Sequence, residues 1–508
     1  MSSELGPRER VGALAGRAAG VLARRAGRGG GTALPGLVAG RLAPRLLERA
    51  AASMEHGVLC VSGTNGKTTT THLLTAIAAG ARLDPLTNGS GSNLERGLLA
   101  AFVQAGGRAG GLDGAGRVGL LEVDEAVLPL LLPRLAPRVV LLLNLFRDQL
   151  DRYGEVDSVA EGWRRMLVEA ESPPTLVLNA DDPAIAMLAE EVEGRPGARV
   201  IRFGVEVPSA EESAEAAHGA GGAGTVDARF CRCGARIAHD ALLLGHLGAW
   251  SCPSCGRARP TPEVEAGDVE LTADAASFEL RTRLPGAGLQ RARVELPLAG
   301  LHSVYNALAA AAGALALGVS PLVSAHALAG VAPAFGRQEA FAVEGRQVRL
   351  LLAKNPTGLS EVVRTLTASR PGDGTAEGEP ALHLLLALND GVQDGRDTSW
   401  VYDADVEALA GRVAHLVASG LRADDMALRL LLARVRSDLV EPRLDEALDA
   451  ALAATPADGT LSVVATYTAM LELREELARR AGRAHYWERD AGGAAGESGA
   501  AASEGEPR

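Results

Sequence analysis

Val58 to Val61 is a short apolar run that leads into Gly63-Thr64-Asn65-Gly66-Lys67-Thr68-Thr69-Thr70, after which the pattern turns helical from about Lys67 to Ala79. A strand, a glycine turn and a helix in that order constrain the fold strongly. The glycines let backbone N–H groups turn toward an anion at the helix N-terminus, and the strand that delivers them belongs in a buried parallel sheet. Lys67 is placed to reach β- and γ-phosphates, and the Thr68 hydroxyl to hold Mg²⁺. The loop departs from the general phosphate-binding pattern at one position, where GxxxxGK[ST] has glycine and this chain has Val61. Gly63, Thr64, Asn65, Gly66, Lys67, Thr68 and Thr69 are the expected nucleotide-binding residues.

Three further apolar runs, Val118 to Val123, Arg138 to Asn144 and Thr175 to Asn179, end in polar residues, as buried parallel strands do where their carboxyl ends form a site. Leu-Leu-Glu122-Val-Asp124-Glu125 closes the first, and Glu122 is the expected Mg²⁺ ligand, a solvated acidic turn being the plainer reading. A second set of strands is expected at Val348 to Ala353, Leu382 to Leu388, His415 to Ala418 and Leu461 to Ala465. The class is therefore α/β. The expected organisation is a cationic helical arm over 1–50, an ATP-binding domain over 51–330, a second Rossmann-like α/β domain over 331–488 and a disordered tail over 489–508.

Composition narrows the function. A net charge of −12 argues against a nucleic-acid partner, because such affinity comes from neutralising phosphates. Of 51 basic residues only Lys67 and Lys354 are lysines, which marks both as sites where a compact ammonium is needed. Of eight asparagines, six fall inside candidate motifs. No secretory signal is recognisable, since Arg17, Arg24 and Arg25 break the apolar stretch from Val11 to Ala26, and no uncharged run approaches the ~20 residues needed to span a bilayer. The expected location is the cytoplasm. The first fifty residues hold nine arginines against three glutamates, so the arm is either a solvated helix packed on the body or a contact with anionic lipid at the inner face of a membrane.

Four of the five cysteines fall in Cys231-Arg-Cys233-Gly and Cys252-Pro-Ser-Cys255-Gly, two knuckles about twenty residues apart, the spacing of a structural Zn²⁺ ribbon over 228–260. The first knuckle has one residue between its sulfurs instead of two, so His239 and His246 stand as substitute ligands. Cys60 lies in the strand before the glycine loop and reads as a small buried residue. In the second half, Asp390, Asp394 and Asp397 crowd one turn, Asn-Asp-Gly-Val-Gln-Asp-Gly-Arg-Asp-Thr-Ser-Trp. Three carboxylates so close repel unless they cap backbone amides, bind a cation or face a basic partner. Lys354, in Ala-Lys-Asn-Pro, is placed to neutralise an acyl phosphate or a substrate carboxylate.

GTNGKTTT, the EVDE strand end, NLFRDQLDRYGE, NADDP, LHSVYNALAA and AFGRQE follow one another in the order and approximate spacing of the Mur ligases, and the chain resembles that family over roughly residues 40 to 485. It departs from many members in having only about sixty residues before the glycine loop, too few for a uridine-nucleotide domain. It also has no lysine between Lys67 and Lys354 to be carbamylated. The cysteine insertion, LLAKNPTG, NDGVQDGRDTSWVYD and ATYTAMLELREELA resemble an amidating branch of the family. That resemblance implies ATP-dependent conversion of the D-glutamate α-carboxylate of the lipid II stem peptide to D-isoglutamine through an acyl phosphate. It also implies ammonia from a glutaminase partner of the GatD type. Asn306 would then contact adenine, Arg337 the phosphates, and Asp394 or Asp397 would be catalytic or orient a histidine of the partner. The chain has no spare cysteine for a glutaminase nucleophile, in keeping with a second subunit. A folylpolyglutamate-type amino-acid ligase and a non-catalytic nucleotide-gated scaffold are the alternatives.

Overall fold

The computed structural model describes residues 5–25, 33–88, 92–107, 109–147, 156–207, 227–272, 274–284, 286, 288–332, 339–367 and 382–482. Three short helices come first, α1 (Pro7–Arg25), α2 (Leu34–Leu42) and α3 (Leu46–Ala52). They lie against the body. α2 crosses the helix Glu95–Ala105 so closely that a Cβ on Gly36 would stand 1.9 Å from Arg96 O, and Arg134 ties Glu48 to Glu95 at 2.6 and 2.5 Å.

A nine-stranded sheet follows. Its strands are β1 (Val58–Ser62), β2 (Asp84–Thr87), β3 (Arg117–Glu122), β4 (Val139–Leu142), β5 (Thr175–Asn179), β6 (Val200–Val205), β9 (Val264–Leu271), β10 (Ala276–Leu284) and β11 (Gly288–Leu296), in the spatial order β11-β10-β9-β6-β5-β4-β1-β3-β2. β2 through β9 pair in parallel and β9-β10-β11 form an antiparallel meander. The central strands β1 and β4 are buried at every residue, as parallel strands covered on both faces are. β11 instead alternates, with Ala292, Val294 and Leu296 inward and Arg291, Arg293 and Glu295 outward. The helix Leu301–Ala316, almost wholly buried, fills one face, as its apolar run from Ala307 requires.

Register matters for function. Val61 pairs with Glu122 on one side and Leu141 on the other, so the carboxyl ends of β1, β3 and β4 lie together. The chain leaves β1 for β2 on one side and later crosses from β3 to β4 on the other, which opens a crevice at the strand ends. Between β6 and β9 the chain inserts a hairpin of β7 (Ala238–Leu244) and β8 (Leu247–Ser251), with a cysteine knuckle before and after it.

The second sheet has six strands, β12 (Glu339–Val343), β13 (Arg346–Leu352), β14 (Leu382–Ala387), β15 (Val413–Ser419), β16 (Leu439–Glu441) and β17 (Thr460–Ala465), ordered β12-β13-β17-β14-β15-β16. All pairs are parallel except β12 with β13. The expected strands are found within two residues of their ends. The meander from Val264 to Leu296 was not expected. The expected tail and Arg337 lie outside the described residues.

Candidate functional site

The glycine loop connects β1 to α4 (Lys67–Gly80). Gly66 has φ +89°, and a Cβ there would stand 2.1 Å from Asn306 Oδ1; at Gly63, φ +139°, it would meet Leu143 and Asn144 at about 3 Å. Both glycines are therefore required. The loop is sewn to the end of β4: Asn65 N donates to Asn144 Oδ1 at 2.9 Å and Asn144 Nδ2 donates to Asn65 O at 3.2 Å. The Thr64 hydroxyl donates to Phe146 O and accepts from Phe146 N, at 3.1 and 3.0 Å.

Lys67 is buried, and its ammonium donates to Gly63 O at 2.6 Å, Thr64 O at 3.3 Å and Glu125 Oε2 at 2.9 Å. Burial pushes the Glu125 carboxyl up, but the charges of Lys67 and Lys354 and the Lys67 hydrogen bond outweigh it and hold it below the usual range. Trp163, fully buried, donates its indole N–H to Glu125 O at 2.9 Å and fixes that turn. The carboxylate that reaches the loop is thus Glu125. Glu122 lies half-buried at the end of β3, where Asn88 bonds to its backbone N–H and C=O. Thr68 sits half-buried in the first turn of α4, and Thr69 faces the crevice.

That crevice is closed from the other side by the second sheet. Asn65, Gly66 and Asn306 line one wall, and Lys354, Asn355 and Glu361 the other. Asn355 Nδ2 donates to Asn65 Oδ1 at 2.9 Å, and Thr70 Oγ1 donates to Asn306 Oδ1 at 3.3 Å. Sequence reasoning missed Glu361. Burial lifts its carboxyl to about 7 against the opposing effect of Arg364, whose guanidinium is 2.8 Å away. Nothing in the local pattern marks it, because the apolar stripe of its helix, with Leu359, Val362 and Val363, explains that segment without it. Tyr305 also lines the crevice and donates to Asp181 Oδ2 at 2.6 Å, while Arg259 holds Asp181 Oδ1 at 2.6 Å. The NADDP turn is therefore a structural hub. Its Asp182 accepts from Leu145 N and caps the turn at Ala184 and Ile185.

The four knuckle sulfurs converge, all within 4.8 Å of one another, with Cys231 to Cys255 at 3.6 Å and Cys233 to Cys252 at 3.5 Å. A tetrahedron of sulfurs about 2.3 Å from Zn²⁺ has edges of about 3.8 Å, so the donor set fits. The Arg257 amide, ahead of the other contacts, draws the Cys255 thiol down to about 6, the thiolate such a site needs. Neither histidine takes part. His246 Nε2 is 3.2 Å from Asp182 Oδ2, and His239 is bonded to Ala228 O. Cys60 is fully buried, and burial pushes its thiol up to about 12.

The three loop aspartates lie away from the crevice. Asp394 is buried and accepts from the amide of Thr468 at 2.8 Å and from its hydroxyl, capping the helix Tyr467–Arg480. Asp390 is 3.2 Å from Arg422, and exposed Asp397 accepts from Ser399 N at 2.9 Å. Around them Val392, Leu421 and Tyr467 are exposed.

Residues 61–223 match the Mur ligase middle domain and residues 352–470 the MurT ligase C-terminal domain. The chain is 30% identical over 478 residues to the MurT subunit of lipid II isoglutaminyl synthase (glutamine-hydrolyzing) from Streptococcus pneumoniae, covering 92% of this chain and 97% of that one. It is 27% identical over 463 residues to the same subunit from Staphylococcus aureus, covering 90% and 96%. The fold is shared with the MurF ligase of Thermotoga maritima, solved with ADP, at a TM-score of 0.55 and 14% identity over 86% of this chain and 84% of that one. With both sheets and nearly the whole length matched, the chain belongs to the MurT family, the Mur-ligase-type subunits of lipid II isoglutaminyl synthase.

Proposed function

We propose that the protein amidates the D-glutamate α-carboxylate of the lipid II stem peptide, using ATP and ammonia. The observation that carries the reading is the convergence of the chain's only two lysines, Lys67 after β1 and Lys354 after β13, on the Glu125 carboxylate beside the glycine loop. A carboxylate is a poor electrophile. Attack of its oxygen on the γ-phosphate of ATP forms an acyl phosphate and releases ADP; ammonia then adds to the carbonyl carbon and phosphate leaves. Lys67 offsets charge on the transferred phosphoryl group, and Lys354 does so on the acyl phosphate or the substrate carboxylate. Asn306, which lies beside Gly66, is assigned to the adenine and Arg337 to the phosphates. Thr68 and Glu122 are the assigned Mg²⁺ ligands, with Glu125 close by, and the ion would supply charge neutralisation there. Closure of the two sheets over the crevice keeps water from the intermediate.

Ammonia is assigned to a GatD-type glutaminase subunit. Support comes from the cysteines, since four are clustered and the fifth is sealed in β1, leaving no nucleophile for glutamine. The exposed apolar rim around Asp390, Asp394 and Asp397 is assigned as the docking surface for such a partner, and Asp397, which is exposed and takes no part in the cap made by Asp394, is the aspartate assigned to orient its histidine. Lipid II carrying ¹⁸O in the α-carboxylate tests the mechanism. The acyl-phosphate route transfers one ¹⁸O to the inorganic phosphate released, and unlabelled phosphate from a productive turnover would rule it out.

A further inference from the structure

The first helix is built inside out. Gly12, Gly16 and Gly20 recur every fourth residue on the buried face of α1. A Cβ at Gly12 would stand 2.8 Å from Ala43 Cβ, and one at Gly16 2.5 Å from Pro35 O, so α2 approaches as closely as glycine permits. The larger apolar side chains point the other way. Val11, Leu14, Val21 and Leu22 are 60%, 41%, 40% and 65% exposed, and with exposed Ala18 they form one stripe at helical spacing.

Arginines border that stripe. Projected down the helix, exposed Arg10 lies along one edge and exposed Arg8 along the other, with exposed Arg25 at the far end, while Arg17 turns its Nε and Nη2 into the body beside Gly106. Arg8 Nε donates to Leu42 O at 2.8 Å, which sets exposed Leu42 beside the Val11 end and extends the apolar surface onto α2. The charge is local, nine arginines against three glutamates in fifty residues of a chain whose net charge is −12. A helix held only by packing would turn valine and leucine inward. Here glycine makes the packed face, and the outward face combines apolar side chains with flanking guanidinium groups.

We infer that the outward face of α1 docks the protein on an anionic lipid surface, with the helix lying in the plane of the interface. Valine and leucine enter the boundary between headgroups and acyl chains while the arginines meet lipid phosphates. An acidic protein surface would satisfy the charge, but the stripe is a convex ridge along one helix, which suits a fluid interface better than a shaped pocket. This goes beyond the amidation reading, as it involves no residue of the crevice.

The test is co-sedimentation of the full chain with vesicles of equal phosphatidylglycerol and phosphatidylcholine, beside pure phosphatidylcholine. The wild type should partition onto the anionic vesicles, less so as salt rises. V11S/L14S/L22S and, separately, R10E/R25E should each weaken partition by about tenfold or more, whereas R10K/R25K, which also gives up the Arg10 Nε bond to Leu5 O but keeps the charge, should partition like the wild type. Absence of partition, or partition that survives both V11S/L14S/L22S and R10E/R25E, would overturn the inference. So would a wild-type dimer that V11S/L14S/L22S converts to monomer. A failure of the amidation reading would be seen separately, as no acceptor-stimulated ADP release in detergent, with vesicle partition unchanged.

Discussion

Lys67 Nζ lies 2.9 Å from Glu125 Oε2, both side chains buried, and Lys354 bears on the same carboxylate from the second sheet. Two cations and one anion therefore meet beside the glycine loop. Glu125 and the carbonyls of Gly63 and Thr64 hold Lys67 in place, so that its charge is preset and its desolvation already offset.

Removing Lys67 should slow the reaction sharply while weakening the fold. For Lys67→Ala we expect turnover to fall by about 10²–10³-fold, from loss of charge stabilisation of the transferred phosphoryl group. Glu125→Gln keeps a hydrogen-bond acceptor and should cost less, about tenfold, through looser positioning of the lysine. Steady-state ADP release measures both.

The same pair sets an acid limit on stability. Because the folded-state pKa of Glu125 is depressed, its contribution is present above the unfolded carboxyl pKa of about 4.3 and is lost as pH falls through the lower folded value. Urea denaturation between pH 3 and pH 7 should show this loss in the wild type. In Lys67→Ala the loss should shrink, and an unchanged acid limb would contradict the pairing.

Glu361 should act in the opposite direction. Burial raises its folded-state pKa to about 7, so its contribution is complete below the unfolded value and declines as pH rises from about 4.3 to 7. Glu361→Gln should therefore be more stable than the wild type at pH 8, by about 1–3 kcal/mol, and should lose that advantage at pH 4.

The loop aspartates should separate by role. Asp394→Ala removes a helix cap and should cost about 1–2 kcal/mol of stability. Asp397→Ala should leave the melting temperature unchanged and, in the presence of the glutaminase partner, eliminate glutamine-driven turnover while sparing turnover with ammonium. Equal loss with both nitrogen sources would remove Asp397 from the ammonia-supply role.

Metal analysis should find one Zn²⁺ per chain, lost in Cys252→Ser. The hairpin is anchored by Trp250, whose indole N–H donates to Ala180 O at 3.0 Å, so loss of metal should also change the tryptophan fluorescence and lower the melting temperature. A metal-free wild type of equal stability would contradict the site.

Much of this was legible in the sequence because single elements encode it. The strand and loop from Val58 to Thr70 carry their own apolar run, glycines and lysine, and the two knuckles carry their own spacing. What escaped depends on distant pairings. Choosing Glu125 over Glu122 as the partner of Lys67 needed the turn after β3, which Trp163 holds from another helix. Glu361 is significant only because the second sheet packs over the first, and the Asp394 cap requires Thr468, 74 residues away. The meander β9-β10-β11 was hidden by its many charged residues, whose outward alternation is plain once the strands are paired.

The most direct test of the central claim is mass spectrometry of lipid II incubated with ATP, Mg²⁺ and this protein, with ammonium or with glutamine and the glutaminase partner, beside Lys67→Ala. The account predicts a product about one mass unit lighter, with nitrogen replacing oxygen on the D-glutamate residue, formed only by the wild type. Unchanged lipid II under both nitrogen sources, from protein that still binds ATP, would contradict it.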